Sequence, residues 1–155
     1  MVEDRQIQYM SQDKINELKQ EQEHLKKDKI PSLAKRIDDA RQMGDLSENA
    51  EYHSAREDMA WAQSRVKEIQ NILDNAQIIS HISDGVVQIG STIRVKINRV
   101  EKEYTIVGPQ EADPLSGKIS NESPLGSAFL GKKRGDKVQI ALPSGIQEYK
   151  IVNVE

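Results

Sequence analysis

Asp45 and Glu48 stand three residues apart in the run Gly44-Asp45-Leu46-Ser47-Glu48-Asn49-Ala50-Glu51-Tyr52. Carboxylates at this spacing have two uses. One is a capping box, in which Asp45 accepts from free backbone N–H groups at a helix start and Glu48, at the third position, reaches back. The other is part of a metal site. Hard oxygen donors suit Mg²⁺, which favours six oxygen ligands and keeps several waters. Two donors on an exposed turn hold such an ion weakly. They become effective where another protein supplies the remaining ligands, and a shared ion of this kind can activate a water for phosphodiester hydrolysis. The two uses are compatible, because one cap can fix the direction of the other carboxylate.

Basic and aromatic side chains flank the acids. Arg41 and Arg56 lie one on each side and read either as solvated helix surface or as a small phosphate-binding patch. Tyr52 could stack on a base, but it also falls in an apolar seam, where packing is its simpler role. Trp61 falls off that seam and is read either as a partner contact or as packing against the other arm. His24, His53 and His81 have no metal-ligand spacing. There is no Ser-His-Asp constellation, no Gly-rich phosphate loop and no cysteine, so a self-contained enzyme has little to work with.

The elements that must position the acids show in the periodicity. Tyr52, Ala55, Met59, Ala62, Val66, Ile69, Leu73 and Ala76 alternate spacings of three and four, an a/d seam. The preceding segment repeats through Ile15, Leu18, Gln22 and Leu25, then resumes at Leu33, Ile37 and Ala40. Its register slips around Lys29–Pro31, where a proline predicts a kink. The connector at 43–48 is short, so the two segments form an antiparallel coiled-coil hairpin with arms of roughly 30 residues, ~45 Å long. Its tip is the acidic turn at 44–49.

From about Val86 the period becomes two. Val86–Ile97, Glu103–Val107, Lys137–Leu142 and Glu148–Val154 read as strands, with Pro143-Ser144-Gly145 as a turn. Ser123 as N-cap, Pro124 at the first position and Gly131 past the end predict one short helix. The fold class is α+β, with a helical domain over 1–80, a small sheet domain over 81–155, and a linker at His81–Gly85. Of 155 residues, 36% are hydrophobic and 30% charged, which fits a long hairpin joined to a small domain. The formal net charge of −3 argues against coating nucleic acid by bulk electrostatics, so any such contact is local. Residues 1–80 carry 12 Lys+Arg against 16 Asp+Glu, and residues 81–155 carry 10 against 9. The charged start Met1-Val2-Glu3-Asp4-Arg5 is expected to be no signal peptide. No apolar run reaches the ~18–20 residues of a membrane span, and the lack of cysteine fits the cytoplasm.

Residues Gly44–Glu57 closely resemble the tip of the Gre transcript-cleavage factors of bacterial RNA polymerase, of the GreA type. Ile30-Pro31, Arg65–Ile69, Leu73–Ile79, Gly90–Ile93, Tyr104–Gly108 and Ile119–Leu125 also look like that family. The resemblance implies an N-terminal antiparallel coiled coil and a C-terminal domain of FKBP-like fold. It implies a monomer that is not itself an enzyme, whose globular domain docks at the rim of the polymerase secondary channel while the coiled coil reaches the active centre. On that model Asp45 and Glu48 help hold a Mg²⁺ shared with the polymerase and its attacking water. Backtracked nascent RNA is then cut near its 3′ end. Arg41 and Arg56 match the RNA-contacting basic patch, with Tyr52 beside it, and Ser123 and Pro124 match the polymerase-docking stretch. Ser47 stands where a basic residue is common, and Gly131-Lys132-Lys133-Arg134-Gly135 is more basic than the family pattern.

Three other readings compete. A channel-occupying inhibitor would sit in the same place without promoting cleavage, and inactive relatives tend to have altered tip acids, which are intact here. A prolyl isomerase or chaperone would need an aromatic pocket, and residues 81–155 hold only Phe129, Tyr104 and Tyr149. A plain coiled-coil adaptor would not need the tip acids.

Overall fold

The computed structural model describes residues 6–80 and 84–155. The charged pentapeptide at the start, His81 and most of the expected linker lie outside the described residues. Two compact units emerge, Ile15–Asn75 and a second made of Met1–Lys14 with Ala76–Glu155. This division differs from the expected boundary at 80/81. Strand β1 (Gln8–Met10) pairs in parallel with β2 (Ala76–Ile78), Gln8 opposite Ala76. Ser11 N and Oγ donate to the Glu111 carboxylate at 2.9 and 2.6 Å, and Gln110 Nε2 donates to Gln8 Oε1 at 3.1 Å. A three-residue strand is too short for a period-two pattern to show, which is why the sequence alone did not reveal it.

The helical unit comprises most of α1 (Gln12–His24), a π-helical turn at Leu25–Lys29, α2 (Ile30–Arg41) and α3 (Ala50–Asp74). The π turn explains the register slip. Leu25 to Leu33 is a spacing of eight rather than seven, and one wide turn absorbs the extra residue so that both leucines stay buried. The Ile30 N–H bonds back to Leu25 O, five residues earlier, and Pro31 sits in the first turn of α2, where its missing N–H is tolerated. The first arm runs antiparallel to α3: Gln22 donates to Gln70 at 3.0 Å, Arg65 to Glu21 at 2.7 and 3.0 Å, and Arg36 to Asp58 at 2.7 Å. Ile15, Leu18, Leu25, Leu33 and Ala40 meet Tyr52, Ala55, Ala62, Ile69 and Ile72 in the buried layer. Ile72 lies off the expected seam, which puts Leu73 only partly inside. Trp61 is 59% exposed, so packing between the arms is not its role.

The other unit is a five-stranded sheet in the order β5-β4-β3-β7-β6. Its strands are β3 (Thr92–Ile97), β4 (Val100–Val107), β5 (Lys118–Ser120), β6 (Lys137–Leu142) and β7 (Gly145–Val154). The 143–145 turn stands where expected, between β6 and β7. β3 begins later than Val86, and β5 was not foreseen. Helix α4 (Pro124–Phe129) covers one face, with Ser123 Oγ accepting from Gly126 N at 3.0 Å as the sequence predicted. Val87, Ile93, Val95, Ile106, Phe129, Val138, Ile140, Tyr149 and Ile151 form one contiguous core. The Phe129 ring packs edge-on to Tyr149 at 5.6 Å and stacks with Tyr104 at 6.3 Å. The three aromatics that a peptide-binding pocket would need are thus spent on the core.

Candidate functional site

The tip spans the residues between α2 and α3. Gly44 adopts φ +138°, a backbone conformation that side chains rarely permit, and it turns the chain back on itself. Asp45 does not cap a helix. Its Oδ1 accepts from Ser47 N at 3.0 Å and from Ser47 Oγ at 2.9 Å, a local turn closed on the side chain. These two bonds hold the Asp45 carboxyl below the ordinary carboxylate range, the backbone bond contributing most. The cap is Asn49, whose Oδ1 accepts from Tyr52 N at 3.1 Å. The capping-box use of Asp45 and Glu48 is therefore overturned: the helix starts at Ala50, and Glu48 precedes it. Asn, Asp and Ser are all strong N-cap formers, and three of them within five residues left the choice to tertiary contacts.

Asn49 also donates from Nδ2 to Ala40 O at 2.6 Å, so one amide ties the end of α2 to the start of α3. Asp45, Glu48 and Asn49 line a hollow of about 270 Å³ with Met43 and Gly44. Both acids are exposed, and Asp45 has its second oxygen available. Two hard oxygen donors on one hollow suit a partial Mg²⁺ site. Among the described residues, no cluster of three or more acidic, His or Cys side chains could hold a metal without outside ligands.

Behind the acids, the structure brings Arg41, Arg56 and Tyr52 together. The Arg41 and Arg56 guanidinium carbons lie 5.8 and 5.7 Å from the Tyr52 ring centroid. Tyr52 is 7% exposed, so its ring is a platform for the two cations rather than a free stacking face. Arg41, and then Arg56, draw its phenol below the usual value against the effect of burial. His53 meets the same ring edge-on at 5.6 Å. One turn further back, Arg36 of α2 bonds Glu51, Asp58 and Ser54 of α3, raising its own pKa and lowering that of Glu51. Arg36 and Asn49 are the site-positioning residues that the sequence reading missed. An Asn directly before Ala50 was a usable signal; nothing in the spacing announced Arg36.

Ser123 and Pro124 lie in the sheet unit, apart in sequence from the tip. Ser123 Oγ donates to Ser120 O at 2.7 Å, and Pro124 is exposed at the start of α4. A side chain on Gly126 would fall 2.0 Å from Ser120 O, so this glycine lets α4 lie directly on the end of β5.

A helical hairpin that presents paired acids ahead of paired arginines, joined in one chain to a small curled sheet, defines a class of protein. Residues 8–78 match the family model for the N-terminal domain of transcription elongation factors, and residues 82–155 match that of the GreA/GreB C-terminal domain. The transcription elongation factor GreA of Clostridium acetobutylicum is 42% identical over 145 residues, covering 91% of this chain and 92% of the relative. That of Thermomicrobium roseum is 41% identical over 144 residues, at 91% and 92% coverage. The solved structure of GreA factor homolog 1 (Gfh1) from Thermus thermophilus is 23% identical with a TM-score of 0.45, over 97% of this chain and 99% of that one. The chain belongs to the GreA/GreB family of transcription elongation factors.

Proposed function

We propose that this chain enters the secondary channel of bacterial RNA polymerase and stimulates cleavage of backtracked nascent RNA by the polymerase. The observation that carries the reading is the tip itself. Asp45 and Glu48 face one hollow, neither caps α3, and Asn49 fixes the backbone that bears them. In this reading the hairpin acts as an antiparallel coiled coil, and the sheet unit is an FKBP-like domain that docks on the polymerase through Ser123 and Pro124. The chain is a cytoplasmic monomer and not an enzyme.

Each group has one task. Asp45, kept ionised by Ser47, and Glu48 donate oxygens to a Mg²⁺ whose other ligands come from the polymerase. When bound, that ion supplies polarisation of a water for phosphodiester hydrolysis. Arg41 and Arg56, held on Tyr52, contact phosphates of the RNA 3′ segment and keep it in place. Asn49 holds the acids in position during the encounter. Two ligands alone bind weakly, so the site is effective only in the complex.

The test is RNA cleavage in stalled, backtracked elongation complexes with Mg²⁺, comparing wild type with Asp45→Asn/Glu48→Gln. Wild type is expected to stimulate. The variant should lose about 10²-fold or more in rate, since metal-assisted stabilisation is worth several kcal/mol and each ~1.4 kcal/mol is tenfold. Polymerase binding by the variant should stay within about twofold. No stimulation by the bound wild-type protein would instead make it a channel-occupying regulator.

A further inference from the structure

Strand register sets three lysines in a row on the sheet unit. Lys96 of β3 lies opposite Lys150 of β7, and Lys150 lies opposite Lys137 of β6. All three are exposed, and their neighbours Val95, Ile151 and Val138 point the other way into the core. Adjacent strands are ~4.8 Å apart, so the row is ~10 Å long. Like charges directly opposite one another weaken a sheet. Acids offset only the two ends. Glu101 faces Lys96 across β4, and Glu148 pairs with Lys137 at 3.2 Å. Lys150 in the middle has a lysine on each side. Among the described residues, no ion pair engages Lys96, Lys150 or Arg134. Lys96, Arg134 and Lys150 line a single hollow of about 360 Å³, which Glu101 also lines.

We propose that this face binds nucleic-acid backbone, with phosphates seated on Lys96, Lys150 and Arg134. Lys96 and Lys150 on adjacent strands, with Arg134 on the same hollow, offer three cations to successive phosphates along a strand. No aromatic side chain lines the hollow, so it offers no stacking platform and contacts the backbone without reading the bases. A protein partner would need a desolvated anchor at the centre of its footprint, and the centre here is Lys150, an exposed and strongly hydrated ammonium. The net charge of −3 argues against binding spread over the whole surface, so the contact is local.

The test needs no polymerase, so its outcome is independent of the cleavage reading. Fluorescence anisotropy would measure the full chain against a labelled 20-residue oligothymidylate from 50 to 200 mM salt. Each removed contact takes about 0.7 from the salt slope on a single strand. Lys96→Gln/Arg134→Gln/Lys150→Gln should therefore lower the slope by about 2 and weaken binding at 50 mM salt by tenfold or more, while Arg41→Gln/Arg56→Gln changes it less. In wild type, the oligonucleotide should shift the backbone amide resonances of Lys96, Gly135, Lys150 and Ile151, which checks the site without any substitution. Absent binding at 50 mM salt, a triple variant with an unchanged slope, or amide shifts confined to α2 and α3 would overturn the proposal. So would equal competition, per charge, by tripolyphosphate or by oligoglutamate, which would point to a small anion or an acidic protein surface.

Discussion

The hairpin tip and the sheet core hold their residues by different means. At the tip, position rests on a few side-chain hydrogen bonds, exposed for Ser47 on Asp45 and half-buried for Asn49 on Tyr52 and Ala40. In the sheet unit, α4 and its flanking turn are held by packing around Phe129, which has no exposed surface, and by a glycine that removes the spacing a side chain would impose. The tip can therefore be disarmed one bond at a time with little effect on folding. The sheet unit cannot lose its geometry without losing stability. Asp45 and Glu48 stay where water can reach them, and local order there is weak in return.

The strongest attempt to break this contrast is Phe129→Ala. Removing a ring this buried should cost about 3–5 kcal/mol, read as an earlier unfolding transition of the near-ultraviolet signal of Tyr104 and Tyr149. The Asp45 titration at the tip should not change. If it moved, the two regions would be coupled and the contrast would fail.

Next in size is Asn49→Ala, which removes both the cap and the tie to Ala40. A loss of about 1 kcal/mol is expected, seen as faster amide exchange at Tyr52 and His53. Asn49→Asp keeps an acceptor for Tyr52 N and lacks the donor for Ala40 O, so it separates capping from tying.

The smallest effect belongs to Ser47→Ala. Because the folded-state pKa of Asp45 is depressed, ionisation favours the folded tip above the ordinary carboxylate pKa, and that contribution is lost as pH falls through the depressed value. Without Ser47 Oγ the carboxyl should titrate closer to its ordinary value, followed by carboxyl-carbon NMR. Overall stability should scarcely change, since Asp45 is exposed. An unchanged titration would mean that the Ser47 backbone bond alone sets the ionisation.

Much of this was legible in the sequence because the patterns were long. Three heptads of alternating spacing gave α3, and the slip before Pro31 marked the π turn, though not its type. Ser123, Pro124 and Gly131 bracketed α4 because each had one local task. The cap of α3 was only partly legible: Asn49 directly before Ala50 was a signal, but Asp45 and Ser47 compete with it, and the contact with Ala40 decides. β1, β2 and β5 are three residues each, too short for any period. The lysine row was invisible for another reason: it exists only in the register between strands distant in sequence.

The parallel pairing of Gln8–Met10 with Ala76–Ile78 has a consequence for the order of events during synthesis. The first strand leaves the ribosome 68 residues ahead of its partner and has nothing to pair with until the whole hairpin has been made. Arms already zipped together replace a long floppy loop with a short closed one, which lowers the entropy cost of bringing the two strands together. On the nascent chain the helical hairpin is a clasp that brings together the two strands flanking it.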